Sequence, residues 1–148
     1  MRLQEILRVK GSGVHTIHPQ ATLDEVVQKL VSCNCGSLVV REPADAGGRP
    51  GAMVGIISER DILRAIAARR GPLDQLLATD AMTRDVIIGS PADSIEDTMG
   101  LMTQRRIRHL PIVEGGELAG MISIGDVVKA HHDQVALENH YLKSYIQS

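Results

Sequence analysis

Two short segments combine glycine, serine and aspartate at the same spacing. Residues 55–61 read Gly-Ile-Ile-Ser-Glu-Arg-Asp, and residues 120–126 read Gly-Met-Ile-Ser-Ile-Gly-Asp. A helix that begins after such a serine presents free amides and the positive end of its dipole, which suit an anion. The serine hydroxyl can reach a phosphate, and a carboxylate in the first turn can accept both hydroxyls of a ribose. The spacing is therefore suited to a nucleotide.

The same residues also have a purely structural interpretation. Ser-x-x-Asp is a capping box in which Ser58 or Ser123 is the N-cap residue. A capping box does not require a glycine three residues before the serine, yet both segments have one. Arg60 adds positive charge to the first segment, whereas the second segment has Gly125 at that position. The two segments therefore cannot be equivalent in charge.

An internal repeat surrounds these segments. The stretch that begins at Pro19 recurs at Pro91, 72 residues later, while Gly55 recurs at Gly120, 65 residues later. The first copy thus has seven extra residues, and they fall within 42–52. This run is rich in Pro, Gly, Asp and Ala, so we predict a lengthened surface hairpin there.

Each copy predicts the order β-α-β-β-α, which makes the fold class α+β. The predicted first strand covers 14–17 or 86–88, and the helix that follows starts with a capping box, Thr22 with Glu25 or Ser94 with Asp97. Two β-branched strands come next, at 38–40 with 53–57 and at 110–113 with 118–122, and a second helix begins at Ser58 or Ser123. On helical spacing we expect apolar positions at Leu23, Val26, Val27, Leu30 and Val31, and at Ile95, Met99 and Met102.

One such unit is marginal as an independent fold, so we expect the two to pack together. Helices are predicted at both ends, over 2–9 and over about 126–146. The predicted organisation is an N-terminal helix with its lead-in (1–13), the first repeat (14–72), a linker (73–83), the second repeat (84–131) and a C-terminal helix (132–148).

The repeat resembles a tandem pair of cystathionine-β-synthase (CBS) domains, often called a Bateman module. The resemblance extends from about Lys10 to about His131 and rests on Met82-Thr83, on Arg-His-Leu-Pro-Ile-Val at 108–113 and on both Gly-x-x-Ser-x-x-Asp segments. Lys10-Gly11 and residues 137–146 are similar to small stand-alone bacterial CBS-pair proteins. The resemblance implies a pseudo-twofold pair of repeats that binds adenine nucleotides in the clefts between them. AMP is the first candidate ligand, with ATP, ADP or NAD as alternatives.

The resemblance also assigns roles to individual residues. It makes Asp61 and Asp126 the ribose ligands. Phosphate would lie beside Ser58, Arg60, Ser123 and Gly125, with Lys10 as a further contact. Residues bordering the base would be Thr16, Ile17, Val86 and Ile88, and those on the adjoining strand Ser37, Arg108, His109 and Pro111.

Composition limits the other functions. The chain has no Trp, no Phe and only two Tyr, so aromatic platforms for single-stranded nucleic acid are excluded across the first 140 residues. A formal net charge of -2 and a pI of about 6.3 argue against nucleic-acid partners. No apolar run is long enough for a membrane span. Two cysteines separated by one residue are a poor start for a disulfide framework, so we expect a protein of the reducing cytoplasm.

The remaining cysteines and histidines do not predict further sites. Cys33 and Cys35 lack additional ligands and are interpreted as small residues that end a helix. The histidines at 131, 132 and 140 lack i,i+4 spacing, so we expect no metal site. The sequence contains no nucleophile–base pair that would suggest an enzyme. We expect a non-catalytic sensor whose partners are a second copy, in a homodimer, and an unidentified regulated protein. The alternative is an interaction module that binds no ligand.

Overall fold

A computed structural model describes residues 1–147, and the structural statements below refer to those residues. The chain is a mixed α+β protein, as the repeat predicts. Its elements in chain order are α1 (Leu3–Lys10), β1 (Thr16–Ile17), α2 (Leu23–Cys33), β2 (Ser37–Arg41), β3 (Met53–Ser58), α3 (Glu59–Ala67), α4 (Ala78–Ala81), α5 (Ile95–Arg105), β4 (His109–Glu114), β5 (Glu117–Ser123) and α6 (Ile124–Gln147). They form two compact units, one of residues 14–86 and one that combines residues 1–13 with those from 87 onward.

The unit of residues 14–86 is built on a three-stranded sheet in the order β1-β2-β3. β1 pairs parallel with β2, and β2 pairs antiparallel with β3 so that Leu38 lies opposite Ile57. Both of these side chains are fully buried. Their core is completed by one face of α2 and by α3 and α4, through Leu23, Val26, Leu30, Ile62, Ala65 and Ala78.

The second unit is built on the β4–β5 hairpin, which places His109 opposite Ser123. Here the sequence prediction of a strand over 86–88 is wrong. The chain meets β4 only at Gly89, whose N–H donates to the Pro111 carbonyl at 2.9 Å and whose carbonyl accepts from Val113 at 2.9 Å. A Cβ at Gly89 would lie 2.8 Å from Leu110 Cδ2 and 3.0 Å from Ile112 Cδ1, so any larger residue would force these buried side chains to shift. A single bridge residue then replaces the predicted strand.

Local capping explains where α2 and α5 begin. Thr22 Oγ1 accepts from the Glu25 N–H at 3.2 Å and Glu25 accepts from the Thr22 N–H at 3.3 Å, so the predicted capping box is present. Ser94 accepts from the Asp97 N–H at 3.0 Å. The prediction that Val31 belongs to the apolar face of α2 is wrong, since this side chain is 74% exposed. It lies at the edge of the stripe that Leu23 and Leu30 define.

The structure bears on two further predictions, the lengthened hairpin over 42–52 and the C-terminal helix. The segment between β2 and β3 has neither helix nor strand, in agreement with a lengthened hairpin loop. Asp45 Oδ1 accepts from the N–H groups of Gly47 and Arg49, both at 2.9 Å, which folds the loop on itself. At the C-terminal end, α6 is one continuous helix of 24 residues that serves as both the second helix of its repeat and the C-terminal helix.

Among residues 1–147, no helix is long and apolar enough to cross a bilayer.

Candidate functional site

The first Gly-x-x-Ser-x-x-Asp segment joins β3 to α3. Ser58 is the N-cap residue of α3, with its side chain accepting from the Asp61 N–H at 3.4 Å. Asp61 Oδ2 accepts in return from the Ser58 N–H at 2.9 Å. The capping interpretation is therefore confirmed for this segment, and the chemistry of Asp61 depends on what else its carboxylate contacts.

The Asp61 carboxylate is buried, and both of its oxygens accept hydrogen bonds from the same unit. Its residue is 6% exposed, and Oδ2 also accepts from the Ser58 hydroxyl at 3.1 Å. The other oxygen, Oδ1, accepts from the Thr83 hydroxyl at 3.1 Å. Since the residue is buried and both oxygens already have donors, a ribose diol has little access to this carboxylate. Thr83 was part of the sequence signature, but only the folded chain reveals that it contacts Asp61.

The second segment has the same local geometry at the start of α6. The Asp126 N–H donates to Ser123 Oγ at 3.1 Å, and Asp126 Oδ2 accepts from the Ser123 N–H at 2.9 Å. The Asp126 side chain, however, is 26% exposed. Within residues 1–147 its Oδ1 accepts no hydrogen bond, so one carboxylate oxygen remains available to an outside donor.

Lys10, the last residue of α1, pairs with this carboxylate. Its ammonium lies 2.6 Å from Asp126 Oδ2, donates to the Met121 carbonyl at 2.9 Å and has a side chain that is 39% exposed. Partial burial by itself raises the pKa of Asp126. Hydrogen bonds from Lys10 and from the Ser123 backbone, with the Lys10 charge, outweigh burial and hold that pKa below its ordinary value of 3.8. Asp126 is consequently an anion at neutral pH.

The glycine that opens each segment has a packing role. A Cβ at Gly120 would lie 2.5 Å from Leu7 Cδ2 of α1, and a Cβ at Gly55 would lie 2.7 Å from Met82 Sδ and 2.8 Å from the Thr83 carbonyl. Each hairpin thus accepts a close neighbour on its own unit. Packing within the unit is therefore a second reason for a glycine in each segment, and it is stronger at Gly55, where the added Cβ would meet backbone.

Other predicted site residues of the first unit lie at distinct places. Ser37 is buried and pairs in register with Ser58, the N-cap residue of α3. Thr16 and Ile17 are half-buried on β1, and the Thr16 carbonyl already accepts a hydrogen bond from the Lys29 ammonium. Two further residues are more peripheral: exposed Arg60, in the first turn of α3, and half-buried Val86, at the end of the unit.

In the second unit, the register places half-buried His109 opposite Ser123. The Arg108 carbonyl accepts from the Ile124 N–H at 2.8 Å, which brings an exposed arginine to the start of α6. Gly125 is exposed in the first turn of that helix. Pro111 is buried and Ile88 is 48% exposed. The residues that the structure brings to one place in this unit are thus Lys10, Arg108, His109, Ser123 and Asp126.

The two cysteines lie at the end of a helix, as the sequence predicts. Cys33 and Cys35 are free and half-buried at the end of α2, where burial and the neighbouring Cys33 raise the pKa of the Cys35 thiol. Over residues 1–147, no group of three or more His, Cys, Asp or Glu side chains is arranged to hold a metal ion.

Comparisons of the sequence and of the structure with known proteins indicate the same family. The sequence model of the CBS domain matches residues 9–68 and 78–133. The mitochondrial CBS domain-containing protein CBSX3 of Arabidopsis thaliana is 34% identical over 151 residues, covering 98% of this chain and 71% of that protein. A CBS-domain protein of Agrobacterium tumefaciens has a structure with a TM-score of 0.79 at 36% identity, over 88% of this chain and 99% of the other.

A further similar structure was solved with a ligand. The CBS domain protein of Pyrobaculum aerophilum, complexed with AMP, has a TM-score of 0.71 and 31% identity over 85% of this chain and 89% of its own. Its likeness covers both repeats rather than one. Together with the two family matches and the duplicated Gly-x-x-Ser-x-x-Asp geometry, these findings make the chain a member of the CBS-domain family with two CBS domains in tandem.

Proposed function

We propose that this protein is a non-catalytic regulatory module that binds an adenine nucleotide, with AMP as the first candidate and ATP, ADP or NAD as alternatives. The observation that carries the proposal is the state of Asp126. It is an ionised, partly exposed carboxylate at the start of a 24-residue helix, with one oxygen that accepts nothing within residues 1–147. A ribose diol is the donor pair that suits such a group.

The groups around Asp126 suit a phosphate. Lys10 and Arg108 supply positive charge, and the first amides of α6 point outward from the helix start. Gly125 has no side chain to obstruct an approach to those amides. We assign the phosphate contacts to Ser123, Gly125, Lys10 and Arg108, with His109 and Pro111 on the adjoining strand. The AMP bound by the similar Pyrobaculum protein supports this ligand class.

The first motif requires a different treatment. Asp61 is 6% exposed and its two oxygens accept from Ser58 and Thr83. We therefore propose that the second motif is the stronger site and that the first binds nucleotide more weakly because its carboxylate is buried. Its ligand-facing residues would be those expected from the resemblance on this unit, Thr16, Ile17, Ser37, Ser58, Arg60 and Asp61.

We further propose that the protein acts as a homodimer on a separate regulated protein. Exposed apolar side chains on helices support an interface: Val31 on α2, Leu63 and Ile66 on α3, and Val128 on α6. Such side chains are suited to helix–helix contacts between copies. Nucleotide binding would then alter the surface offered to the regulated protein. A module that only dimerises remains the second candidate, and it predicts no response to any nucleotide.

Thermal unfolding with AMP, ATP, ADP and NAD at millimolar concentration tests the proposal. A ligand at about one hundred times its Kd adds about 2.7 kcal/mol of stability, which would raise the Tm by about 5 °C or more. GMP at the same concentration controls for non-specific phosphate binding. A Tm that no adenine nucleotide raises above the GMP control contradicts the sensor function and favours the dimerisation module.

A further inference from the structure

We propose that Lys10 is a displaceable counter-ion of Asp126 that makes the second motif select nucleosides carrying a phosphate over the free nucleoside. The inference rests on the proposed function and adds to it a residue that determines specificity. Its starting point is the contact between Lys10 Nζ and Asp126 Oδ2 at 2.6 Å. This contact occupies one of the two oxygens that a ribose diol needs.

A free nucleoside must compete with Lys10 for Asp126 Oδ2 and offers the displaced ammonium no new anionic partner. Two neutral hydroxyls that donate to both carboxylate oxygens would take Oδ2 from an ammonium, so a contact between two opposite charges would be exchanged for a contact between one charge and a neutral donor. The ammonium would keep only its bond to the Met121 carbonyl, at 2.9 Å. Binding of adenosine is therefore opposed by the resident cation.

A phosphorylated nucleoside supplies the displaced ammonium with a new anionic partner. Lys10 has a flexible side chain that is 39% exposed, so its ammonium can move while the backbone of α1 stays in place. The helix itself is anchored by buried Leu3 and by the packing of Leu7 against Gly120. The same cation thus opposes the nucleoside and favours the nucleotide.

The first motif provides an internal contrast. There the second partner of the carboxylate is the neutral hydroxyl of Thr83, at 3.1 Å from Asp61 Oδ1. A hydroxyl that leaves a carboxylate does not supply a positive charge to a phosphate. Selection by exchange of a counter-ion is accordingly a property of the second motif.

Calorimetric titration with adenosine and with AMP tests the proposal on four proteins: the wild type, Lys10→Met, Lys10→Arg and Arg8→Met. Arg8 is an exposed cation on the same helix, so its variant removes one positive charge away from Asp126. We expect Lys10→Met to bind AMP more weakly and adenosine at least as tightly as the wild type. The ratio of AMP to adenosine affinity should then fall about tenfold or more. Lys10→Arg and Arg8→Met should retain most of the ratio.

The possible failures are distinguishable. If Lys10→Met binds AMP and adenosine with the wild-type ratio, the proposed role of Lys10 is wrong, although nucleotide binding stands. If Arg8→Met lowers the ratio as much as Lys10→Met, general charge rather than counter-ion exchange sets the preference, and the proposal is again wrong. If the wild type binds neither compound and its Tm responds to neither, the proposed function fails together with this inference. Lys10→Arg keeps the test valid should Lys10→Met unfold, because loss of AMP selectivity in a folded Lys10→Arg protein that still binds AMP would contradict a role for the charge.

Discussion

The Thr83 hydroxyl donates to Asp61 Oδ1 at 3.1 Å and thereby ties the segment after α4 to the helix start of the first CBS motif. The corresponding aspartate of the second motif, Asp126, is instead paired with the ammonium of Lys10 at 2.6 Å. Two copies of one motif thus have different chemistry: a buried carboxylate with neutral partners and a partly exposed carboxylate with a cation. The predictions below follow from that difference.

Removal of the Asp61 carboxylate should destabilise the protein rather than merely affect a ligand. Asp61→Ala removes a buried acceptor that half-buried Ser58 and exposed Thr83 share, which costs about 1–2 kcal/mol in the free energy of unfolding. Thr83→Val removes one donor and should cost about 1 kcal/mol. Urea unfolding measures both values, with Thr83→Ser as the control that keeps the hydroxyl. A wild-type midpoint for Asp61→Ala would contradict the structural role.

A methyl group at Gly55 should be poorly tolerated because part of what it meets is backbone. The added Cβ would lie 2.8 Å from the Thr83 carbonyl oxygen, and relief of such overpacking costs about 1–3 kcal/mol. Gly120→Ala should cost less, since it meets only the end of the flexible Leu7 side chain. Gly100→Ala is the matched control: its Cβ meets nothing within 4 Å on α5, so alanine should stabilise by about 0.5–1 kcal/mol. Thermal unfolding that ranks Gly55→Ala above Gly100→Ala in stability would contradict this packing.

The Lys10–Asp126 pair should give a stability term that depends on pH in a defined direction. Because the pKa of Asp126 is held below 3.8 in the folded protein, the pair stabilises the fold above that value, and the contribution is lost as pH falls through the lowered folded pKa. The pair is partly exposed, so Lys10→Met should cost only about 0.5–1 kcal/mol at neutral pH. Urea unfolding of both proteins from about pH 7 to about pH 3 should show the gap closing toward the acidic end. A gap that widens on acidification contradicts the assigned pair.

The Cys35 thiol should be slow to alkylate. Burial, and then the neighbouring Cys33, raise its pKa, so less of it is thiolate at mildly alkaline pH. Mass spectrometry of peptides after timed iodoacetamide treatment should show slower labelling of Cys35 in the folded protein than in urea. Equal rates in the two states would mean that Cys35 is not protected by its place at the end of α2.

Local interactions explain why so much of the fold could be predicted from the sequence. The start of α2 depends on Thr22 and Glu25, which are three residues apart and contact each other in the structure. The hairpins follow from β-branched runs around the Glu-Gly-Gly-Glu turn of the second repeat. The strand expected over 86–88 does not form, and pairing with β4 is confined to Gly89. That pairing involves residues more than 20 positions later in the chain, which local sequence patterns do not show.

The candidate site was predictable only as far as its chemistry is local. Ser58 and Asp61 cap α3 as their spacing indicates, and Ser123 and Asp126 do the same for α6. The partners that separate the two aspartates, Thr83 and Lys10, lie 22 and 116 residues away from them. Only the fold brings those partners together, so a sequence pattern that treats both motifs alike cannot show which carboxylate remains accessible.

The role of Asp126 is tested most directly by calorimetric titration of AMP into the wild-type protein and the Asp126→Ala variant. Loss of two hydrogen bonds to a charged group corresponds to about 1.5 kcal/mol or more, so AMP affinity should fall more than tenfold. Asp126→Asn, which keeps an oxygen for the Ser123 N–H, controls for the cap and should show a similar loss. An AMP affinity unchanged in folded Asp126→Ala would contradict the account and leave Asp126 as a capping residue alone.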